Sequence, residues 1–600
     1  MTDAPPRWDL SNVYPSLASP EFQAAREQFT GQVEALESLF RDRVAQAGPQ
    51  TELSELAALA GEVISCFNQA STLGRTIQAY ITSFVATDSR DELARRSMSE
   101  FEQVSLRLEQ LGTRFLAWTG TLAPVLDQVI AANAVAGAHA FMLKTAAEQS
   151  RYLMSEAEEN LAAELVLNST QGWNRLQSTL TSQLASDFEL DGEVHKLPLP
   201  ALINLHSHPD PEVRRRAYEK ELEALASLGE PLAASLNGIK GTTNVLNRRR
   251  GRQDALHSAI DKARIDRPTL EAMLDAMQAS FPAFRKYLQA KARRLGKERL
   301  PYWDVFAPTG GSSKTYTFSE ARDFILSNFA RFSPDLEDFA RGAFDKHWID
   351  AEQRDGKRGG AFCMPLMGVK ESRVLCNFDG SLDQVSTIAH ELGHAYHNHC
   401  AFEAGKTFLQ KETPMTLAET ASIMCETIVM QAVLQETRDP QEELSILDTI
   451  LMGDTQVIVD IYSRYLFEKE VFERRAKAEL SADELCEIME RAQKATYGEG
   501  LDERYLHPYM WTWKPHYYYT QLSFYNFPYA FGLLFGTGLY AIFQQRGADF
   551  VPGYKQLLAS TGEGQAADLA ARFGIDIRDR KFWEDSLKVI AARVERYCDI

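Results

Sequence analysis

The sequence predicts a mainly α-helical fold, and three observations carry that expectation. Apolar residues recur at three- and four-residue spacing over long segments, Glu21 to Val44, Glu52 to Thr87, Glu92 to Trp118 and Ala136 to Leu167. They sit among many Glu, Gln, Arg and Ala, which is the pattern of helices that bury one face. Strand signals are confined to two short places, around 188–194 and between 351 and 379, so any β-element is small. The third observation is the stretch Thr387-Ile388-Ala389-His390-Glu391-Leu392-Gly393-His394-Ala395-Tyr396, which sets H-E-x-x-H in an apolar, helical context.

Composition narrows the function classes. The 600 residues are 44% hydrophobic and 24% charged, enough for large cores divided into two or three subdomains. A formal net charge of -19 opposes a nucleic-acid or anionic-membrane partner, because both would repel the surface as a whole. The 7 cysteines are odd in number and include no C-x-x-C pair, as expected of reduced thiols in a cytoplasm. The N-terminus shows no basic region followed by an apolar run, so no signal peptide is expected. Between Pro515 and Gln545 there is no Lys, Arg, Asp or Glu. The most apolar part, Phe527 to Phe543, is nevertheless too short to span a bilayer and carries Pro528, so it reads as a buried core helix.

In chain order, Trp8 to Ser16 reads as an extended lead-in ending at a turn, followed by four long amphipathic segments that form a helical N-terminal layer. Phe188 to Val194 has strand residues on both sides of Asp191-Gly192, the favoured two-residue hairpin turn. The first candidate boundary follows, dividing 1–195 from 196–600. His206-Ser207-His208-Pro209-Asp210 resembles a metal cluster only briefly, because Asp210-Pro211-Glu212 is a capped helix start. Helices continue to roughly Leu295, with the basic run Arg248 to Arg252 read as a solvated helix end. Thr309 to Thr315 lacks the phosphate-loop glycine before Lys314, where Ser313 stands, and reads as a surface loop. Helical periodicity then fades from Ala351 to Asp379, and Arg373 to Phe378 reads as a strand. Asp379-Gly380 makes a turn, and Ser381 to Gln384 is a capping box that starts the helix carrying His390.

On that helix, residues four apart are displaced by only about 40° around the axis. His390 and His394 can therefore direct one imidazole nitrogen each at a single ion, with Glu391 projecting beside them as a general base for a metal-activated water. A third ligand is needed. The H-x-x-G-x-x-H extension is excluded, since this chain has His397 and Cys400 at the required Gly and His positions. A downstream carboxylate must serve instead. Glu403 and Glu412 lie in a connection around Gly405 and Pro414, whereas Glu419 lies in Thr416 to Glu426, which reads as a new helix. Glu426, two turns beyond Glu419, suits an acceptor for the outer nitrogen of a ligand histidine. His397 and His399 are assigned no ligand role.

The sequence His-Glu-Leu-Gly-His-Ala-x-His followed by Leu-Ala-Glu-Thr, the opening Trp8-Asp9-Leu10 with Tyr14-Pro15, and the strand Val374 to Phe378 resemble the oligoendopeptidase F branch of the thimet-oligopeptidase-like M3 zinc metallopeptidases. The resemblance spans nearly the whole chain. It implies His390, His394 and Glu419 as ligands of one Zn2+ per chain and Glu391 as general base. It also implies a mostly helical molecule whose two lobes flank a deep channel, with 1–195 lid-like and 196–600 catalytic. In the phenol-rich stretch His516 to Gly532, the family places a His and several Tyr at the substrate and the oxyanion. That role carries over to His516 and Tyr529, and less directly to Tyr525. Phe527-Pro528-Tyr529 departs from the family's usual Tyr-Gln-Tyr and leaves open which phenol is the donor.

The expectation is therefore a cytoplasmic zinc endopeptidase for short peptides, with neither nucleic acid nor membrane as partner. Its rivals are a metallo-exopeptidase of the dipeptidyl carboxypeptidase or carboxypeptidase type and a peptide-binding protein without turnover.

Overall fold

Phe22, Ala25, Phe29, Val33, Leu36 and Phe40 repeat at three- and four-residue intervals, and all six are buried along one face of the helix Pro20–Asp42. Ser19 caps that helix by accepting from Phe22 N, and Pro20 occupies its first turn, where the missing N–H has no intrahelical partner to lose. This is seen in a computed structural model of the chain, which describes residues 4–310 and 314–600. The helices Leu53–Thr87 and Glu92–Thr121 follow and close a core with the first through Leu56, Ile64, Phe67, Ile77, Phe101 and Phe115. The fourth predicted segment is not continuous. The chain forms Ala134–Ala138, Ala140–Gln149 and Glu156–Asn168. The last of these starts afresh because Ser155 and Glu158 make a reciprocal capping box.

The chain divides into two compact units: residues 1–153, 314–433 and 542–574 form one, and 154–313, 434–541 and 575–600 the other. A cut at 195/196 would fall inside a strand. The hairpin pairs Ala185–Leu190 with Glu193–Pro198, and Asp191 and Gly192 both take positive φ, 54° and 82°. That backbone is the one a two-residue turn with right-twisting strands requires.

In the first unit a three-stranded sheet forms next to the H-E-x-x-H helix. Phe362–Leu366 pairs antiparallel with Glu371–Leu375, which pairs parallel with Ile349–Asp350. The predicted strand therefore starts two residues earlier than Arg373 and stops at Leu375. Cys376 and Phe378 leave the sheet, although their N–H groups still reach the carbonyls of Asp350 and Ala351 at 3.0 Å each. The lead-in Trp8 to Pro15 is tied to this sheet. Arg373 Nε donates to Asp9 O at 2.9 Å, and its Nη2 donates to Asn12 Oδ1 at 2.8 Å.

The second unit is built from helices including Pro211–Ala226, Gly229–Arg249, Arg267–Arg294, Ile461–Arg475 and Ala482–Tyr497. Asp210 caps the first of them by accepting from Glu212 N. Two buried ammonium groups find carboxylates, Lys240 with Glu468 at 2.6 Å and Lys291 with Asp448 at 3.1 Å, because a buried charge left alone is costly. The basic run is only partly solvated: Arg250 pairs with Glu159 and Arg252 with Asp261. The loop at 309–315 lies partly outside the described residues, at 311–313. The uncharged stretch enters the helix Phe527–Arg546, most of which is buried. Among the described residues one helical span, Met415–Glu436, is long and apolar enough to cross a membrane, but its window is 67% buried in the protein.

Candidate metal centre

The helix Leu382–Glu403 is capped by Ser381, whose side chain accepts from Gln384 N. The return half of the expected capping box is not made, because Gln384 Oε1 is buried without a partner. His390 and His394 lie one turn apart with ring centroids separated by 4.9 Å. Glu419 does not lie within a continuous helix. It sits at the junction of Met415–Ala418 and Thr420–Glu436, and Thr420 Oγ1 donates back to Leu417 O there.

This junction brings Glu419 Oε2 to 3.3 Å from His390 Nε2 and 3.4 Å from His394 Nε2. Among the described residues these three form the one group of His, Cys, Asp or Glu placed to hold a metal ion, with ligand atoms all within 4.8 Å of one another. Ser422 Oγ, which the sequence reading overlooked, donates to the same Glu419 oxygen at 2.7 Å. Its signal is the i+3 spacing from Glu419. On the outer side, His390 Nδ1 meets Glu426 Oε2 at 3.1 Å. The two ligand-bearing segments approach so closely at Gly393 that a Cβ there would lie 2.5 Å from both Ala421 O and Ser422 Cα.

The electrostatics suit a cation. Burial works against a charge on His390, yet its hydrogen bonds to Glu419 and Glu426 prevail and raise it to about 10. Burial lowers His394 to about 4. Burial also opposes ionisation of Glu419, but the two imidazoles hold it down at about 2. The cluster thus favours positive charge at His390, between the carboxylates of Glu419 and Glu426. Two imidazoles and a carboxylate form a donor set that zinc accepts, and a cation would take the proton's place. Glu391 is 7% exposed, and burial raises it to about 7. Its Oε2 has no hydrogen-bond partner.

His397 belongs to the core, where Nε2 meets Thr561 Oγ1 at 2.8 Å. His399 packs on the Phe339 ring. The structure groups His390, Glu391, His394 and Glu419 in the first unit and His516, Tyr525 and Tyr529 in the second. Tyr525 Oη and Tyr529 Oη lie 2.6 Å apart, and the His516 and Tyr525 rings are 5.6 Å apart. His516 Nε2 is buried without a partner. Burial, with the charges of Arg464, Lys240 and Lys514, pushes His516 down to about 3, so its imidazole is neutral. A further buried group escaped the sequence reading: Glu221 lies between His206 and His507, at 3.0 and 2.8 Å. The sequence separation from Glu221 to His507 hides that pairing.

A profile described as Peptidase family M3 matches residues 204–589, well over half of the chain. The chain belongs to peptidase family M3. The oligoendopeptidase F branch holds the relatives of this M3 chain. Oligoendopeptidase F, chromosomal, of Lactococcus lactis subsp. cremoris is 23% identical over 384 residues, 64% of this chain and 63% of that protein. Oligopeptidase PepF of Bacillus subtilis strain 168 is 21% identical over 455 residues, 74% of this chain and 66% of its own. The chain thus spans slightly under two thirds of these curated relatives' length. Among solved structures, the oligoendopeptidase-F of Enterococcus faecium matches with a TM-score of 0.69 at 16% identity, covering 96% of this chain and 98% of that one. A crystal structure described as a peptidase candidate from Chlamydophila abortus matches at 0.82 and 20% identity, with 98% of each chain covered. These likenesses give the M3 chain its fold.

Proposed function

We propose that this M3 chain is a zinc-dependent endopeptidase that cleaves internal bonds of short peptides. The observation that carries the reading is the convergence of His390, His394 and Glu419 within 4.8 Å, with Glu391 next to His390 on the same helix, buried and with its Oε2 unpartnered. Zinc held by these three would polarise a scissile carbonyl and acidify a water molecule. Glu391 takes the proton of the attacking water on its free oxygen and hands it to the departing amine. Its burial keeps the carboxylate basic enough to do so. Glu426 fixes the His390 ring through Nδ1 and raises its basicity as a donor. His516 and Tyr529, with Tyr525 sharing the phenol pair, donate to the oxygen on which negative charge develops.

The catalytic region is 196–600, a reading supported by the family match at 204–589, and 1–195 is a helical lid-like addition. The 7 unpaired cysteines suit a cytoplasmic setting. The partners are short peptides, and the net charge of -19 opposes a nucleic-acid partner.

The test uses a quenched-fluorescent peptide of about ten residues, blocked at both termini. Product masses must show internal cleavage. Glu391→Gln must lose turnover by about 100-fold or more while retaining one zinc per chain. Equal rates would remove Glu391 from its role, and cleavage only of unblocked ends would replace the endopeptidase with an exopeptidase.

A further inference from the structure

We propose that the cavity of the second unit beside Glu221, Asp460 and Lys514 binds a small carboxylate ligand with an adjacent N–H, the size of one amino acid. The cavity measures about 270 Å3, just below the roughly 300 to 1,000 Å3 of sites for drug-sized molecules. Asn204 and Ser207, both exposed, stand among its lining residues and mark its mouth.

The lining is charged, and each of its carboxylates already has a basic neighbour. Glu221 is fully buried between the two histidines, and Asp460 is paired with Arg464 Nη2. What remains is a surplus of donors. Arg464 Nε and Trp513 Nε1 are buried with no hydrogen-bond partner. Among the described residues no ion pair is made by Lys514, whose Nζ lies only over the Trp513 ring, 3.7 Å from its centroid. Buried donors are normally satisfied, so two of them beside the half-buried Lys514 ammonium in the lining of one cavity call for an anion. A guanidinium edge, an indole N–H and an ammonium suit the two oxygens of a carboxylate. Two carboxylate oxygens of the lining also lack a hydrogen-bond partner, Asp460 Oδ1 and Glu221 Oε2; the latter has His206 Nε2 at 3.0 Å, which leaves Asp460 Oδ1 to take the ligand's N–H.

The backbone carries an independent mark. The run from Pro440 to Arg475 is interrupted by a π-turn over Gln456–Asp460, which inserts an extra residue where Gln456 and Asp460 enter the cavity lining. Such insertions concentrate at functional sites. Burial, reinforced by the charge of Arg464 and opposed by Asp460 and Glu221, also brings Lys514 down to about 7. Burial thus disfavours the charged form of Lys514, and an anion bound beside it would restore the ammonium.

The ligand chemistry has two sources, a free amino acid or the C-terminus of a peptide. Calorimetric titration of the zinc-loaded full chain would use L-alanine, N-acetyl-L-alanine and N-acetyl-L-alaninamide. One saturable site per chain is expected for L-alanine or its acetyl derivative, and the tighter of the two identifies the source. The amide is expected to bind about tenfold more weakly or worse, as loss of a charged hydrogen-bond partner requires. Trp513→Phe removes the indole N–H while keeping an aromatic ring, and Lys514→Met removes the charge. Each should weaken the acid about tenfold without changing the melting temperature. His394→Ala, which disables the metal centre, should leave binding intact. The proposal fails if no acid binds, if the amide binds equally, if both cavity variants bind like wild type, or if binding disappears with His394→Ala alone. None of these outcomes touches the peptidase reading, because the measurement does not use turnover.

Discussion

His390 Nδ1 lies 3.1 Å from Glu426 Oε2, on the side of the ring away from Glu419. An imidazole held this way presents its other nitrogen in one orientation and one tautomer. Glu426→Gln keeps the shape and removes the charge. Its zinc dissociation constant should rise about 10- to 100-fold, measured by competition with a chromophoric chelator. An unchanged constant would show that Glu426 is only a neighbour.

Gly393→Ala should damage the site through the backbone. A Cβ at 2.5 Å from main-chain atoms of Ala421 and Ser422 forces the two ligand-bearing segments apart. Overpacking of this kind costs about 1–3 kcal/mol. The variant should melt earlier in calorimetry and hold less zinc at equal free metal. Full zinc content with a wild-type melting temperature would contradict the close approach.

The phenols 525 and 529 share one short hydrogen bond, so their contributions should couple. Tyr525→Phe and Tyr529→Phe are each expected to lower kcat about 10- to 1,000-fold. The double variant should cost less than the product of the two, because each single change already breaks the pair. Multiplicative losses in kcat would show that the two hydroxyls act separately.

Glu221 gives a pH-dependent prediction. Burial opposes its ionisation, but the charges and hydrogen bonds of His507 and His206 hold it at about 2, below the ordinary 4.5. A folded-state value below the unfolded one stabilises the protein above about 4.5, and that stabilisation fades as pH falls towards about 2. Glu221→Gln should therefore melt well below wild type at neutral pH, since breaking a buried pair costs about 3–5 kcal/mol. The gap should close in acid. A gap that widens in acid would reverse the assignment.

The metal helix was legible because its information is local: an i, i+4 histidine pair, apolar neighbours and Ser381 as cap all fall within about 14 residues. The hairpin at Asp191-Gly192 was legible for the same reason. Glu419 could be selected as the best downstream carboxylate, but the kink that aims it could not. Ala418-Glu419-Thr420 contains neither Gly nor Pro, so no local breaker marks the break that stands next to the close contact of Gly393 with Ala421 and Ser422. The interruptions between Ala136 and Leu167 were hidden because Ser155 and Glu158 are ordinary residues until the box closes. The partnership of Glu221 with His206 and His507 is beyond any periodicity, since it is made by tertiary folding alone.

The close approach at Gly393 makes the metal centre a pocket of fixed bore. One wall carries His390 and His394, the other carries Glu419, and what separates them is main chain touching main chain rather than a layer of side chains that could change rotamer. The spacing of the two ligand-bearing segments is therefore held by backbone contact at the crossing, which no change of rotamer relaxes.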